Sequence, residues 1–169
     1  MCIRDRVLKA VEYRAEGVDI DTAADCLLEG RHNMCQVFTV DNLKYLKKGG
    51  RISNLKAAVG TVLQIKPLLK GDPEGKIVCF AQVRGRKKSI ELMAEQYDRY
   101  VEHAECETIG IAHGDCPEDA EALIALLNRN HPPKNIINAC YEPMTGAHVG
   151  PGALALFFYG KKEFRQATK

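Results

Sequence analysis

Two short segments far apart in the chain carry the residue types whose spacing could do chemistry: Lys47-Lys48-Gly49-Gly50-Arg51-Ile52 and His148-Val149-Gly150-Pro151-Gly152-Ala153. Each sets one charge-capable side chain, Arg51 or His148, beside glycines that leave backbone N–H groups accessible. A fixed guanidinium, an imidazole and exposed amides together suit a carboxylate or a phosphate. The two segments therefore read as two halves of one anion pocket, with Gly50, Ile52 and Gly150 as its backbone lining.

The first half falls between two predicted helices, so the start of the second, at Ser53, would add its positive partial charge beside Arg51. The plainer alternative is a helix–loop–helix corner whose glycines act only as C-caps. The second half is predicted as a Gly/Pro-rich loop leading into the apolar run 153–159, which places His148 at the rim of a buried space. His113, before Gly114-Asp115, is its rival, whereas His32, His103 and His131 read as helix-end residues.

A third feature is the dense basic run Arg84-Gly85-Arg86-Lys87-Lys88 at a strand-to-helix junction. It suits docking to an acidic protein surface or a phosphate. Nucleic acid competes for it, weakened by the run's shortness and the lack of adjacent aromatic residues for base stacking. A solvated basic face is the remaining alternative.

Several chemistries find no support. The phosphate-loop pattern G-x-x-x-x-G-K-[ST] does not occur, and no ordered Ser/His/Asp set or Cys/His nucleophile pair emerges. Seven cysteines are scattered without C-x-x-C or zinc-type spacing, so they read as reduced, packed thiols. Cys116, before Pro117, has no neighbour in sequence that would activate it. The chain reads as a binder, with no metal and no cofactor expected.

The elements that must position these residues follow from the apolar periodicity. Helices are expected over 7–16 and from Asp19 or Asp21 to 31, then a strand over 34–40 and a short helix capped by Asp41 through Lys48. A slim helix follows over 53–63. Strands at 64–70 and 76–84 flank the turn Gly71-Asp72-Pro73-Glu74-Gly75 and should be antiparallel. A long helix over 87–103, a strand over 108–113, a helix over 117–130 and strands over 136–141 and 153–159 complete the order. The fold class is α/β: a layered domain with a six-stranded, largely antiparallel or mixed sheet packed by helices.

Composition agrees with a single core. The chain has 169 residues, 46% of them apolar and 27% charged, enough for one packed domain or one domain plus part of another. Its net charge of +2 hides an asymmetry: residues 1–40 sum to −2, 41–90 to +9 and 91–169 to −5. The basic middle suggests an anionic ligand or an acidic partner. No apolar run is long enough to cross a bilayer and no signal-type start is visible, so a cytoplasmic location is expected.

In order along the chain, Val40-Asp41-Asn42-Leu43-Lys44-Tyr45-Leu46-Lys47-Lys48-Gly49-Gly50-Arg51-Ile52, Ile65-Lys66-Pro67-Leu68-Leu69, Val83-Arg84-Gly85-Arg86-Lys87-Lys88, His113-Gly114-Asp115 and His148-Val149-Gly150-Pro151-Gly152-Ala153-Leu154 resemble the DegV family of fatty-acid-binding proteins. The resemblance implies a bacterial cytoplasmic carrier, not itself an enzyme. It would bury a long-chain fatty acid and present the carboxyl group to a separate ATP-dependent fatty-acid kinase, whose acyl-phosphate feeds phospholipid synthesis. By position, Arg51 and His148 match the family's polar residues around the carboxyl group. The resemblance also implies that residues 1–33 are terminal helices of an incomplete N-terminal α/β domain and 34–169 the C-terminal domain. The family's Thr-x-x-Ser-Pro segment and Ser-Gly-Thr loop are not in this sequence, and residues 1–6 match nothing in the family. A carrier with half its site would bind weakly and aggregate. The competing assignments are a non-enzymatic regulatory or nucleic-acid-binding domain using residues 84–88, and a small-molecule kinase or transferase.

Overall fold

The computed structural model describes residues 3–50 and 65–166. Along the chain run α1 (Ile3–Ala15), α2 (Ile20–Glu29), β1 (Met34–Thr39), α3 (Leu43–Lys48), β2 (Ile65–Gly71), β3 (Ile77–Arg84), α4 (Arg86–Tyr100), β4 (Thr108–His113), α5 (Pro117–Asn130), β5 (Asn135–Cys140), α6 (Pro143–Val149), β6 (Leu154–Tyr159) and α7 (Glu163–Gln166). The slim helix expected over 53–63 lies outside the described residues.

The six strands form one sheet in the order β3-β2-β1-β6-β4-β5, parallel between β4 and β5 and antiparallel elsewhere. It is the mixed, mostly antiparallel sheet expected. Pro67 is tolerated inside β2 because β1 pairs only with residues 68–70, so no neighbour on that side needs its missing N–H. The pairing places β1, β3, β4 and β5 with their carboxyl ends on one rim, where β2 and β6 begin.

Alternation along the strands gives the sheet two apolar faces. Val37, Leu68, Ile111, Leu156 and Phe158 pack against α4 and α5 through Ile90, Met93, Tyr97, Leu123 and Leu127, all nearly inaccessible to solvent. Rings lock this layer edge to face, Tyr97 against Phe158 at 5.2 Å and Phe158 against Phe164 at 5.8 Å. On the opposite face lie Phe38, Leu69, Ala112, Ala155 and Phe157, joined near the rim by Val40, Leu46 and Ala153. At the far end of this second face α1 reaches the sheet, where Lys9 pairs with Glu107 at 3.0 Å.

Three local expectations are corrected. Asn42, not Asp41, caps α3, its side chain accepting from the Lys44 amide at 2.9 Å. Asp41 is drawn instead to Lys66, at 2.7 Å. The long helix begins at Arg86 and stops at Tyr100, because Val101 turns out to bridge Gly160 and His103 takes φ 52°. The 148–153 segment is not all loop: His148 sits in the last turn of α6, which Glu142 caps by accepting from Thr145 and Pro143 opens at the first helical position. Two helical starting signals thus outweigh the glycines that suggested a loop.

Candidate functional site

The carboxyl rim of the sheet gathers the described residues of both glycine segments and of the basic run. At the end of α3 the chain turns through Gly49 and Gly50, the latter at φ 69°. The imidazole of His148 lies directly against this turn: a Cβ built on Gly49 would stand 2.5 Å from His148 Nδ1. Only glycine lets backbone and ring approach so closely. Past α6 the chain turns again at Gly150, with φ 80° and ψ 171°, where the Tyr45 ring of α3 occupies the space any Cβ would need. The two segments expected to form one pocket therefore meet where Gly49 touches His148, and Gly150 packs on Tyr45 of α3 just before the first segment. Arg51 and Ile52 lie outside the described residues.

A polar network that sequence reasoning missed supports this rim from below. Asp41 stands between Lys66 (2.7 Å) and Arg86 Nη1 (3.7 Å). Arg86 Nε donates to Asp119 at 2.8 Å and Nη2 to the Cys116 sulfur at 3.6 Å. The Asp41 carboxylate fills the place of a Cβ on Gly152, 2.5 Å away, so the loops after β1 and before β6 are held face to face. The Gly152 amide donates to Gly114 O and the Gly114 amide to Ala153 O, both at 2.7 Å, fastening the loop after β4 to the same place. These partners are far apart in sequence, which is why spacing gave no signal of them.

The basic run divides. Arg86 turns into the network, while Arg84, Lys87 and Lys88 are exposed, with Lys88 near Glu91 (3.4 Å) and Glu95 (3.7 Å). His113, the last residue of β4 and so also at the rim, is buried, and its Nδ1 accepts from the Cys116 amide at the start of α5. Burial raises the Cys116 thiol above its ordinary pKa despite the nearby Arg86 charge, which leaves it a poor nucleophile. Among the described residues there is no group of three or more His, Cys, Asp or Glu that could hold a metal ion.

Residues 5–161 match the family described as an uncharacterised protein, DegV family. The chain belongs to the DegV family. A DegV domain-containing protein of Clostridium perfringens is 38% identical over 154 residues, 91% of this chain and 53% of that relative. The crystal structure of a fatty acid binding DegV family protein from Streptococcus agalactiae is 31% identical with a TM-score of 0.79, covering 92% of this chain and 55% of the other. The Streptococcus pneumoniae fatty acid kinase B3 protein loaded with linoleic acid shares the fold, at 18% identity and a TM-score of 0.81, with coverage of 92% and 55%. The chain spans about half the length of the curated DegV relatives it matches. No described helix is long and apolar enough to cross a membrane.

Proposed function

We propose that this chain is part of a fatty-acid carrier in which His148, Gly49, Gly50 and Gly150, with Arg51 and Ile52, receive the acid's carboxyl group. The observation that carries this reading is the contact between His148 and Gly49, which joins two remote segments at the rim where β1, β3, β4 and β5 end. The apolar residues Phe38, Leu69, Ala155 and Phe157 start below this rim and are buried within the domain, the kind of surrounding a hydrocarbon tail favours. The fatty acid binding DegV protein of Streptococcus agalactiae supports the same ligand class. Burying ten methylenes contributes about 8 kcal/mol before the costs of association, so a bound acid should survive purification.

The carrier reading extends to a kinase. An imidazole and a guanidinium hold a carboxylate and tolerate the added charge of an acyl-phosphate, and the exposed cations Arg84, Lys87 and Lys88 offer a separate kinase protein an attractive surface. The acyl-phosphate so formed would enter phospholipid synthesis, with the carrier in the cytoplasm. Nucleic-acid binding by residues 84–88 is less well supported, because Arg86, the middle of the run, is engaged by Asp119 and Asp41.

Mass spectrometry of lipid extracted from the purified, folded whole carrier, of which this chain is a part, tests the reading. A stoichiometric long-chain acid is expected, and a lipid-free protein that also fails to take up added palmitic acid would refute it. Phosphorylation of the bound acid by a fatty-acid kinase with ATP, lost when Arg84, Lys87 and Lys88 are reversed in charge, tests the extension.

A further inference from the structure

The segment through α3 and the segment that leaves α6 touch at three levels, and at each a glycine of one faces a side chain of the other. Gly49 faces the His148 ring, Gly150 the Tyr45 ring and Gly152 the Asp41 carboxylate, and a Cβ on these glycines would stand 2.5, 2.4 and 2.5 Å from them. As the first segment advances from 41 to 49 the second retreats from 152 to 148, so the two run in opposite directions, joined as a clasp. Asp41, Tyr45 and Gly49 are spaced by four, which sets them along one side of α3 and its flanks.

The levels differ in what holds them. At the open end the His148 ring lies against Gly49, and none of the hydrogen bonds among the described residues involves that ring. Its place therefore follows from how α3 and α6 lie together. At the base the Asp41 carboxylate is held by charge, 2.7 Å from Lys66 of β2 and 3.7 Å from Arg86 of α4. Arg86 is itself anchored on Asp119 of α5 at 2.8 Å. The Lys66 and Arg86 side chains are only 18% and 20% exposed, so solvent and salt screen this grip less than they would a surface pair. An acidic side chain on the rim proposed to receive an anion is out of place by charge alone, because it repels a carboxylate. A brace explains it.

We propose that Asp41 is a positioning residue for the carboxyl site: held by Lys66 and Arg86, it closes the base of the clasp and so fixes where the His148 imidazole stands against Gly49. This rests on the carrier reading above and adds to it a residue that acts through His148 and not on the acid itself.

The test is calorimetric titration of palmitic acid into the delipidated whole carrier and its Asp41→Ala, Asp41→Asn and His148→Ala variants, and into the doubles of each Asp41 change with His148→Ala. Circular dichroism verifies folding. A hydrogen bond to a charged group is worth about ten- to a hundredfold in affinity, so misplacement that forfeits half of its free energy should weaken binding about three- to tenfold. Both Asp41 variants should show this loss, and neither should weaken binding further once His148 is alanine. Charge alone predicts the opposite sign, since removing a carboxylate from an anion site strengthens binding. Unchanged or tighter binding by the folded variants overturns the positioning role, as does an equal loss with and without the imidazole, and either leaves the carrier standing. If the alanine variant does not fold, the asparagine variant, which keeps the shape and loses the charge, decides alone. Failure of the unmodified carrier to bind palmitic acid overturns both readings.

Discussion

Gly150→Ala isolates the contact on which the rim depends. The residue has φ 80° and ψ 171°, a region open essentially to glycine alone, so any side chain there costs about 1–3 kcal/mol in backbone strain. Its new methyl would also enter the Tyr45 ring, an overpacking that costs about 1–3 kcal/mol more. The sum, about 2–6 kcal/mol, is a large share of the roughly 5–15 kcal/mol that stabilises a domain. Urea unfolding of the protein, Gly150→Ala, Tyr45→Ala and the double variant separates the two contributions. The steric part should vanish once Tyr45 is alanine, leaving only backbone strain, so a coupling of about 1–3 kcal/mol is expected. A Gly150→Ala protein as stable as the original refutes the conformational argument. An equal loss with and without the Tyr45 ring refutes the packing of α3 against the turn after α6.

Arg86→Ala should destabilise by about 1–3 kcal/mol, since it strands the half-buried Asp119 and removes the tie to Asp41. Lys88→Ala, whose ion pairs are exposed, should cost under about 0.5 kcal/mol; similar melting losses for the two would contradict the network. Burial pushes the Cys35 thiol up to about 12, so it stays protonated at pH 8, and iodoacetamide followed by peptide mass spectrometry should label the exposed Cys106 and Cys140 while sparing Cys35. Rapid labelling of Cys35 in the folded protein would be the contrary result. Tyr97→Phe removes the hydroxyl that donates to His131 O at 2.9 Å and should lower stability by about 0.5–1.5 kcal/mol in urea, with no effect expected on fatty-acid affinity.

Much of the architecture was legible because strong local signals agree with the tertiary fold. The strand 108–113 and the helix 117–130 emerge at the expected residues, the helix because Pro117 starts it and Glu118 and Asp119 favour its first turn. The turn 71–75 likewise joins an antiparallel pair as read. Where short-range signals conflict, the reading failed. Gly150, Pro151 and Gly152 suggested loop, while the Glu142-Pro143 start folds His148 into a helix. Asp41 and Asn42 are both good caps, and only the long-range attraction of Lys66 decides which one caps α3. Residue type alone pairs the two segments that Gly49 and His148 bring together, but the inward turn of Arg86 depends on Asp119 and Asp41, which no local pattern links to it.

The central claim is that the imidazole beside the Gly49-Gly50 turn holds a fatty-acid carboxyl group. Calorimetric titration of palmitic acid into delipidated protein and into His148→Ala tests it most directly. Losing a hydrogen bond to a charged group costs about 1.5–3 kcal/mol, so affinity should fall by roughly ten- to a hundredfold with the fold intact. Equal affinity of the two proteins would contradict the account.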